Sequence, residues 1–289
     1  MAKTSMVHYR EILNIAAARN TCAPTFDCAE GHLELVRGIL EASKRHNSPA
    51  IFLTWGGFVR WMGFKAYVEL VDAMAKKAGV PFTMFLDHSH DENEIKEAVK
   101  GGFTAVMFDV EKYGFEEGAK KTKALVKWVH SKGAIVESSF SSIGREHADG
   151  TADKMEITTP EQAVKFVEAT GTDMLCPAVG NQHGVTTHTM PLNWPLMESL
   201  AQVVKIPMVL HGGSGVAIED ITKAARLGFR KINLFTRMHS MVGQAMLDCA
   251  KEHPKDLWLK WAGAGKATVE TFVEKYLTGL KWDDSLKDL

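Results

Sequence analysis

Three histidines stand at the ends of short apolar runs: His88 closes FTMFLDH, His183 sits in GNQHG and His211 closes MVLH. Three imidazoles with a fourth position left open make a catalytic zinc site rather than a closed structural one. Taken singly, any of the twelve histidines reads as a core or loop residue satisfied by hydrogen bonds. Shared placement at strand ends is what joins these three, and other polar residues share it. Asp87 offers a carboxylate that orients a ligand, caps the following helix or exchanges a proton with a substrate. Asp109 closes the next run, as an accessory metal ligand or as a loop N-cap. His211 opens HGGSG, where Gly212, Gly213 and Gly215 permit close backbone approach and the amides around Ser214 cradle an anion. The helical stretch that follows, Ala217–Leu227, adds the partial positive charge of its N-terminus. Asn233 and Thr236 lie in the last run.

Residues so far apart meet only if the ends of many strands come to one face. Eight runs rich in Val, Ile, Phe and Met recur: Pro24–Asp27, Ala50–Trp55, Phe82–His88, Ala105–Asp109, Ala134–Phe140, Met174–Val179, Met208–His211 and Lys231–Thr236. Several are apolar throughout, as strands covered on both faces must be. Between them apolar residues recur at helical spacing, as at Leu33, Val36 and Leu40. Asp91 with Glu94 and Thr159 with Gln162 read as capping boxes, the second with Pro160 in the first helical position. Gly228 falls where a helix should stop. Tyr9–Ala18 predicts an extra N-terminal helix and Lys266–Thr278 a C-terminal one. Eight β-then-α units with right-handed crossovers close into an α/β fold, the (β/α)8 TIM barrel, as a single domain over residues 1–289. An open doubly wound sheet wants a GxGxxG turn after an early strand and chemistry at one switch point, and the sequence offers neither. In a barrel, the polar residues above share the C-terminal face that hosts active sites.

Composition narrows the partners. A hydrophobic content of 45% fills a large core, and a formal net charge of −1 gives no global attraction to nucleic acid or to a membrane. No apolar run is long enough to cross a bilayer, and the N-terminus lacks a signal-peptide pattern. Cys22, Cys28, Cys176 and Cys249 show no CxxC pairing, which fits reduced thiols in a cytoplasmic protein.

The segments FLDHSHDENEIKEAVKGGFTAVMFD, GTDMLCPAVGNQHG, PMVLHGGSG and GFRKINLFT, in that order, resemble the class II, zinc-dependent ketose-bisphosphate aldolases of the fructose- and tagatose-bisphosphate type. The resemblance runs from about Tyr9 to about Lys251. It implies that His88, His183 and His211 bind the catalytic zinc or another divalent metal, with Asp109 at an accessory position and a monovalent cation as a further cofactor. It implies that Asp87 handles the proton on the hydroxyl of the cleaved carbon. Asn233 contacts the ketose part, and Gly213, Ser214 and Thr236 hold a phosphate, with Gly184, Gly212 and Thr54 as further candidate substrate contacts. A homodimer or homotetramer acting on a small sugar phosphate is implied as well. The chemistry is coherent: retro-aldol cleavage leaves a carbanion whose charge a Lewis acid stabilises, and a second base returns a proton.

Departures from the family pattern point to a particular substrate. Where members carry VExELG, this chain reads Val136-Glu137-Ser138-Ser139, without the second carboxylate. The following loop keeps Glu146 with His147 beside it, and either serves as the second base. Val185-Thr186-Thr187 replaces an aromatic residue and a lysine after His183, Phe235 replaces a small or acidic residue beside Thr236, and Asp27 sits in a poorly fitting FDCAEG. In the loop Thr54–Trp61, Trp55, Phe58 and Trp61 stack on a substrate or pack against a helix or partner subunit. Arg60 and Arg145 are candidates for a second anion contact. The expected function is therefore a metal-dependent aldolase that forms dihydroxyacetone phosphate and an aldehyde from a ketose phosphate other than fructose 1,6-bisphosphate. The alternatives are a metal-dependent sugar epimerase or isomerase and a non-catalytic barrel that partners an aldolase.

Overall fold

An apolar run without polar alternation cannot leave either face in water, and the eight runs pair with one another accordingly. The computed structural model describes residues 5–28, 32–147, 151, 153–184 and 191–289. Its strands are β1 (Ala23–Asp27), β2 (Ala50–Trp55), β3 (Phe82–Ser89), β4 (Ala105–Asp109), β5 (Ile135–Ser139), β6 (Met174–Leu175), β7 (Met208–Leu210) and β8 (Phe229–Leu234). They form a closed barrel in sequence order, all neighbours parallel, with β8 pairing back to β1. The doubly wound alternative is excluded by that closure.

Helices cover the outside. In chain order they are α1 (Tyr9–Ala18), α2 (Leu33–Arg45), α3 (Gly56–Val59), α4 (Phe64–Ala78), α5 (Glu92–Gly101), α6 (Phe115–His130), α7 (Pro160–Thr170), α8 (Trp194–Val203), α9 (Ile218–Ala225), α10 (Thr236–Glu252) and α11 (Trp258–Gly279). Local signals explain several ends. Thr159 and Gln162 form the reciprocal capping box at the start of α7, behind Pro160. At α5 only half of the expected box forms. Asp91 accepts from the backbone N–H of Asn93, but Glu94 turns instead to Ser89 and Arg60. The helix α1 closes the bottom of the barrel: Tyr9 N–H donates to Thr104 Oγ1 just before β4, and the Tyr9 ring tilts against Phe85 at 5.5 Å. Strand β6 is shorter than its apolar run, because Pro177 lacks the N–H that a ladder needs. Thr236 opens α10 rather than closing β8, and α11 begins two turns earlier than the sequence periodicity suggests.

Candidate active site

Side chains alternate along a strand, so two consecutive residues do not normally face one cavity. Asp87 and His88 nevertheless both line the cavity at the C-terminal mouth, whose volume is about 550 Å³. The β3–β4 register shifts between Leu86 and Ser89, and His88 sits at φ +43°. That left-handed backbone costs a non-glycine residue roughly 1 kcal/mol and re-aims the ring. Strain at this one position delivers carboxylate and imidazole to the same place.

The three predicted histidines converge. Nε2 of His88 lies 3.2 Å from Nε2 of His183 and 2.9 Å from Nδ1 of His211. The outer nitrogens explain what this cluster wants. Nδ1 of His88 is 2.8 Å from Asp109 Oδ2, and Nε2 of His211 is 2.6 Å from Glu137 Oε1. Carboxylates only accept, so each of those outer nitrogens carries the proton. The inner nitrogens of neutral His88 and His211 then face one another with lone pairs. A cation between them removes that conflict, and the carboxylate behind each ring is the usual support of a metal-ligating histidine. Titration points the same way. Burial would lower the pKa of His88, but Asp87, Asp109 and Glu137 override it and raise it to about 9. Burial, and then the charge on His88, holds His183 and His211 well below the usual range. The cluster accommodates one positive charge. These residues fit a divalent metal with three imidazole donors and one side open to the cavity. Glu137, Cys176 and His211 also lie within reach of one another, but Glu137 is engaged, and burial pushes the Cys176 thiol far up.

Two residues of this network carry no role in the sequence reading. Glu137 and Lys231 are fully buried inside the barrel, with Lys231 Nζ 2.8 Å from Glu137 Oε2 and 3.4 Å from the centroid of Phe85. They occupy a layer below the mouth, two residues before Ser139 and Asn233 on their own strands. The visible signal is a charge in the middle of each apolar run. Burial lifts the Glu137 carboxyl above its usual range, and Lys231 pulls it back part-way. In the layer above, Asn233 Nδ2 donates to Asp87 Oδ1 at 2.8 Å, and Thr25 Oγ1 donates to Asn233 Oδ1 at 2.9 Å. Thr25 has one hydroxyl proton and shares it with the Ile232 carbonyl at 2.7 Å, so the donation to Asp87 is what orients the amide, and it aims the Asp87 carboxylate. Asn181 donates to the backbone carbonyl of His211 at 3.0 Å, tying the His183 loop to the β7 end.

The HGGSG turn packs as tightly as glycine permits. Gly212 has φ +67°, and a side chain there would collide with the Gln182 backbone. Gly213 lies against Ile232 and Asn233, so Gly212 and Ser214 face the cavity and Gly213 backs them. Ser214 Oγ accepts from the backbone N–H of Arg237 at 3.2 Å, and Thr236 at the first turn of α10 lines the same recess. A serine, glycine backbone and a 17-residue helix N-terminus facing one hollow make an anion cradle. The helix that serves it is α10, whereas the sequence suggested α9.

The family pattern described as fructose-bisphosphate aldolase class-II matches residues 7–284. The chain belongs to this family. Fructose-bisphosphate aldolase of Staphylococcus aureus is 36% identical over 220 residues, 75% of this chain and 77% of that protein. The protein YdjI of Escherichia coli K12 is 35% identical over 221 residues, 76% of this chain and 78% of that protein. The crystal structure of the YdjI aldolase superposes with a TM-score of 0.80, at 28% identity over 96% of this chain and 98% of that one. Membership of the family makes the chain a class II aldolase, a carbon–carbon lyase.

Other sequence-predicted positions in this aldolase lie elsewhere. Thr54 does not line the cavity: it alternates with the cavity-lining Leu53 and Trp55, and its hydroxyl lies 3.5 Å from Cys28 Sγ. Arg60 is not at the mouth as a free anion contact, since its guanidinium is 2.9 Å from the buried Glu94. Neither Glu146 nor His147 lines the cavity. His147 Nε2 turns to Asp153 Oδ1 at 3.0 Å, and Ser142, Ile143, Gly144, Arg145 and Asp153 supply the loop's share of the lining. Gly184 does line it, at φ +85° against the Glu146 carbonyl. Asp109 lines the cavity with its Oδ2 committed to His88. Trp55 lines the cavity, whereas Trp61 is 91% exposed and packs on neither substrate site nor helix. The Phe58 side chain and Val185-Thr186-Thr187 fall outside the described residues.

Proposed function

We propose that the protein cleaves, or forms by condensation, a ketose phosphate other than fructose 1,6-bisphosphate, with dihydroxyacetone phosphate and an aldehyde as the fragments. The observation that carries this reading is the convergence of His88, His183 and His211 beside Asp87 and a glycine-lined anion cradle in one cavity. The cradle of Gly212, Ser214 and Thr236, backed by Gly213, holds the ketose phosphate. His88, His183 and His211 hold a divalent metal, for which zinc suits three imidazoles. Bound there, that ion supplies a Lewis acid for the negative charge that develops on the ketose oxygens.

Asp87, aimed by Asn233, accepts the proton of the hydroxyl on the cleaved carbon as the carbon–carbon bond breaks. Asn233 also reaches the ketose oxygens beside His211, from which its Nδ2 is 3.2 Å away. The second proton transfer belongs to the loop of Glu146 and His147, through Asp153, which lines the cavity and carries His147. Apolar exposure supports a homo-oligomer. The helix α10 buries only Met238, and Met241, Leu247, Leu257, Trp258 and Leu259 stand exposed on α10, α11 and the connection between them. A cytoplasmic location accords with four free cysteines. No helix among the described residues is long and apolar enough to cross a membrane.

The test is elemental analysis together with product analysis. About one zinc per chain is expected, lost in His183→Ala along with at least about 10³-fold of the activity. Two fragments from a ketose phosphate mark a lyase, and a single rearranged sugar marks an isomerase. Efficient cleavage of fructose 1,6-bisphosphate sinks the substrate assignment.

A further inference from the structure

The cavity is anionic away from its phosphate cradle. Among the described residues, five carboxylates line it, on Asp27, Asp87, Asp109, Glu111 and Asp153, against one guanidinium, that of Arg145 at the outer rim. Arg60, on the loop after β2, is held by Glu94.

One wall is built with particular care. Asp27 ends β1, is 1% exposed and still reaches the cavity. Its Oδ2 is 2.7 Å from His239 Nε2, and the His239 ring lies beneath Phe235 at 4.6 Å. Asp27 pairs in register with Leu53 of β2, and the next cavity-facing residue there is Trp55. The Trp55 ring covers Gly57 so closely that a side chain at Gly57 would collide with it. Thus Phe235 just before α10, Asp27 at the end of β1 and Trp55 at the end of β2 bring two aromatic rings and one pinned carboxylate to the same cavity.

We propose that this wall receives the part of the substrate that becomes the aldehyde, and that this part is an uncharged polyhydroxylated chain, with Asp27 the residue that rejects a second phosphate. The inference rests on the aldolase reading above. A carboxylate only accepts hydrogen bonds, and sugar hydroxyls donate them. The C–H faces of a sugar suit aromatic rings. A phosphate dianion at the same place meets the like charge of the Asp27 carboxylate at low local dielectric, where repulsion is strongest.

The experiment compares fructose 1-phosphate with fructose 1,6-bisphosphate on the metal-loaded enzyme and on Asp27→Asn and Asp27→Ser. Solvent deuterium exchange into dihydroxyacetone phosphate is followed in parallel. The expected kcat/KM favours the monophosphate by at least about 100-fold, and both variants narrow that ratio by about 10-fold or more. A wild-type enzyme that takes the bisphosphate as well as the monophosphate overturns the proposal. So does a ratio that neither variant moves. Deuterium exchange without cleavage of the monophosphate overturns the proposal and leaves the aldolase site standing. Absence of both exchange and cleavage removes the aldolase reading itself, and the proposal with it.

Discussion

The inner and outer halves of the site are built on opposite plans. The inner half rests on strands. Hydrogen bonds join Lys231 to Glu137 and Glu137 to His211, Asp109 to His88, and Asn233 to Asp87, and of these seven residues all but His88 are buried. The outer half rests on the loop from Ser141 to Asp153. It meets the barrel through the buried Ile143 and a parallel bridge, Arg145 to His183, and its ion pair of His147 with Asp153 is exposed. Strands position charges rigidly enough to prepare a metal-binding cluster before any ligand arrives. Exposed loop side chains such as His147 and Asp153 are less constrained than strand ones, which suits a proton donor that must meet a changing substrate.

The sharpest way to break this contrast is Glu137→Ala. It leaves a fully buried ammonium on Lys231 and an unheld ring on His211, and the expected cost is about 3–5 kcal/mol of stability. Denaturant unfolding measures it. Replacing the pair together, Glu137→Leu with Lys231→Met, recovers most of the loss, because no buried charge then lacks a partner. A Glu137→Ala protein as stable as wild type refutes the rigid inner half.

A smaller effect is expected at Asp109→Ala. The ring of His88 loses the acceptor on its Nδ1, and zinc affinity falls about 10–100-fold with little change in fold. Competition against a chelator gives the ratio. An unchanged affinity assigns Asp109 to another task.

The metal-free protein tests the same cluster by pH. His88 titrates near 9 when folded and near 6.5 when unfolded, so its contribution is complete below about 6.5 and is lost as pH rises through about 9. His183 and His211 have lowered values, so the unfolded chain takes up their protons first and stability falls as pH drops below about 6.5. Stability of the metal-stripped protein therefore peaks near pH 6.5 to 7 and declines on the alkaline side by about 2 kcal/mol. Urea midpoints across that range check it, and a flat profile from pH 7 to 9.5 contradicts it.

How much of this was legible in the sequence follows the same division. Strand-end polar residues could be placed because a barrel fixes which end of each run carries function, and His88, His183 and His211 do converge. The period of two also determined the misplacement of Thr54, one residue out of phase with Leu53 and Trp55. Glu137 and Lys231 are visible in the sequence only as charges inside apolar runs, and their pairing depends on β5 and β8 facing one another across the barrel interior, which no local pattern encodes. Glu94 was misread as a cap because a tertiary partner, Arg60, competes for it from another loop. Glu146 and His147 are placed by resemblance to the family's loop after the fifth strand, and a loop does not keep side chains on one face as a strand does.

The outer loop yields the smallest effect on folding and the most selective one on turnover. His147→Ala removes an exposed pair with Asp153, so the expected change in stability stays within about 0.5 kcal/mol. Exchange of the dihydroxyacetone phosphate proton with solvent reads the second proton transfer alone, and there the variant is expected to fall about 10²-fold or more. Zinc content stays unchanged, because His147 touches none of the three converging imidazoles. Should exchange persist at the wild-type rate, the base lies outside this pair. The contrast would then concern substrate access to the inner half, with Arg145 and Asp153 at the rim setting what enters.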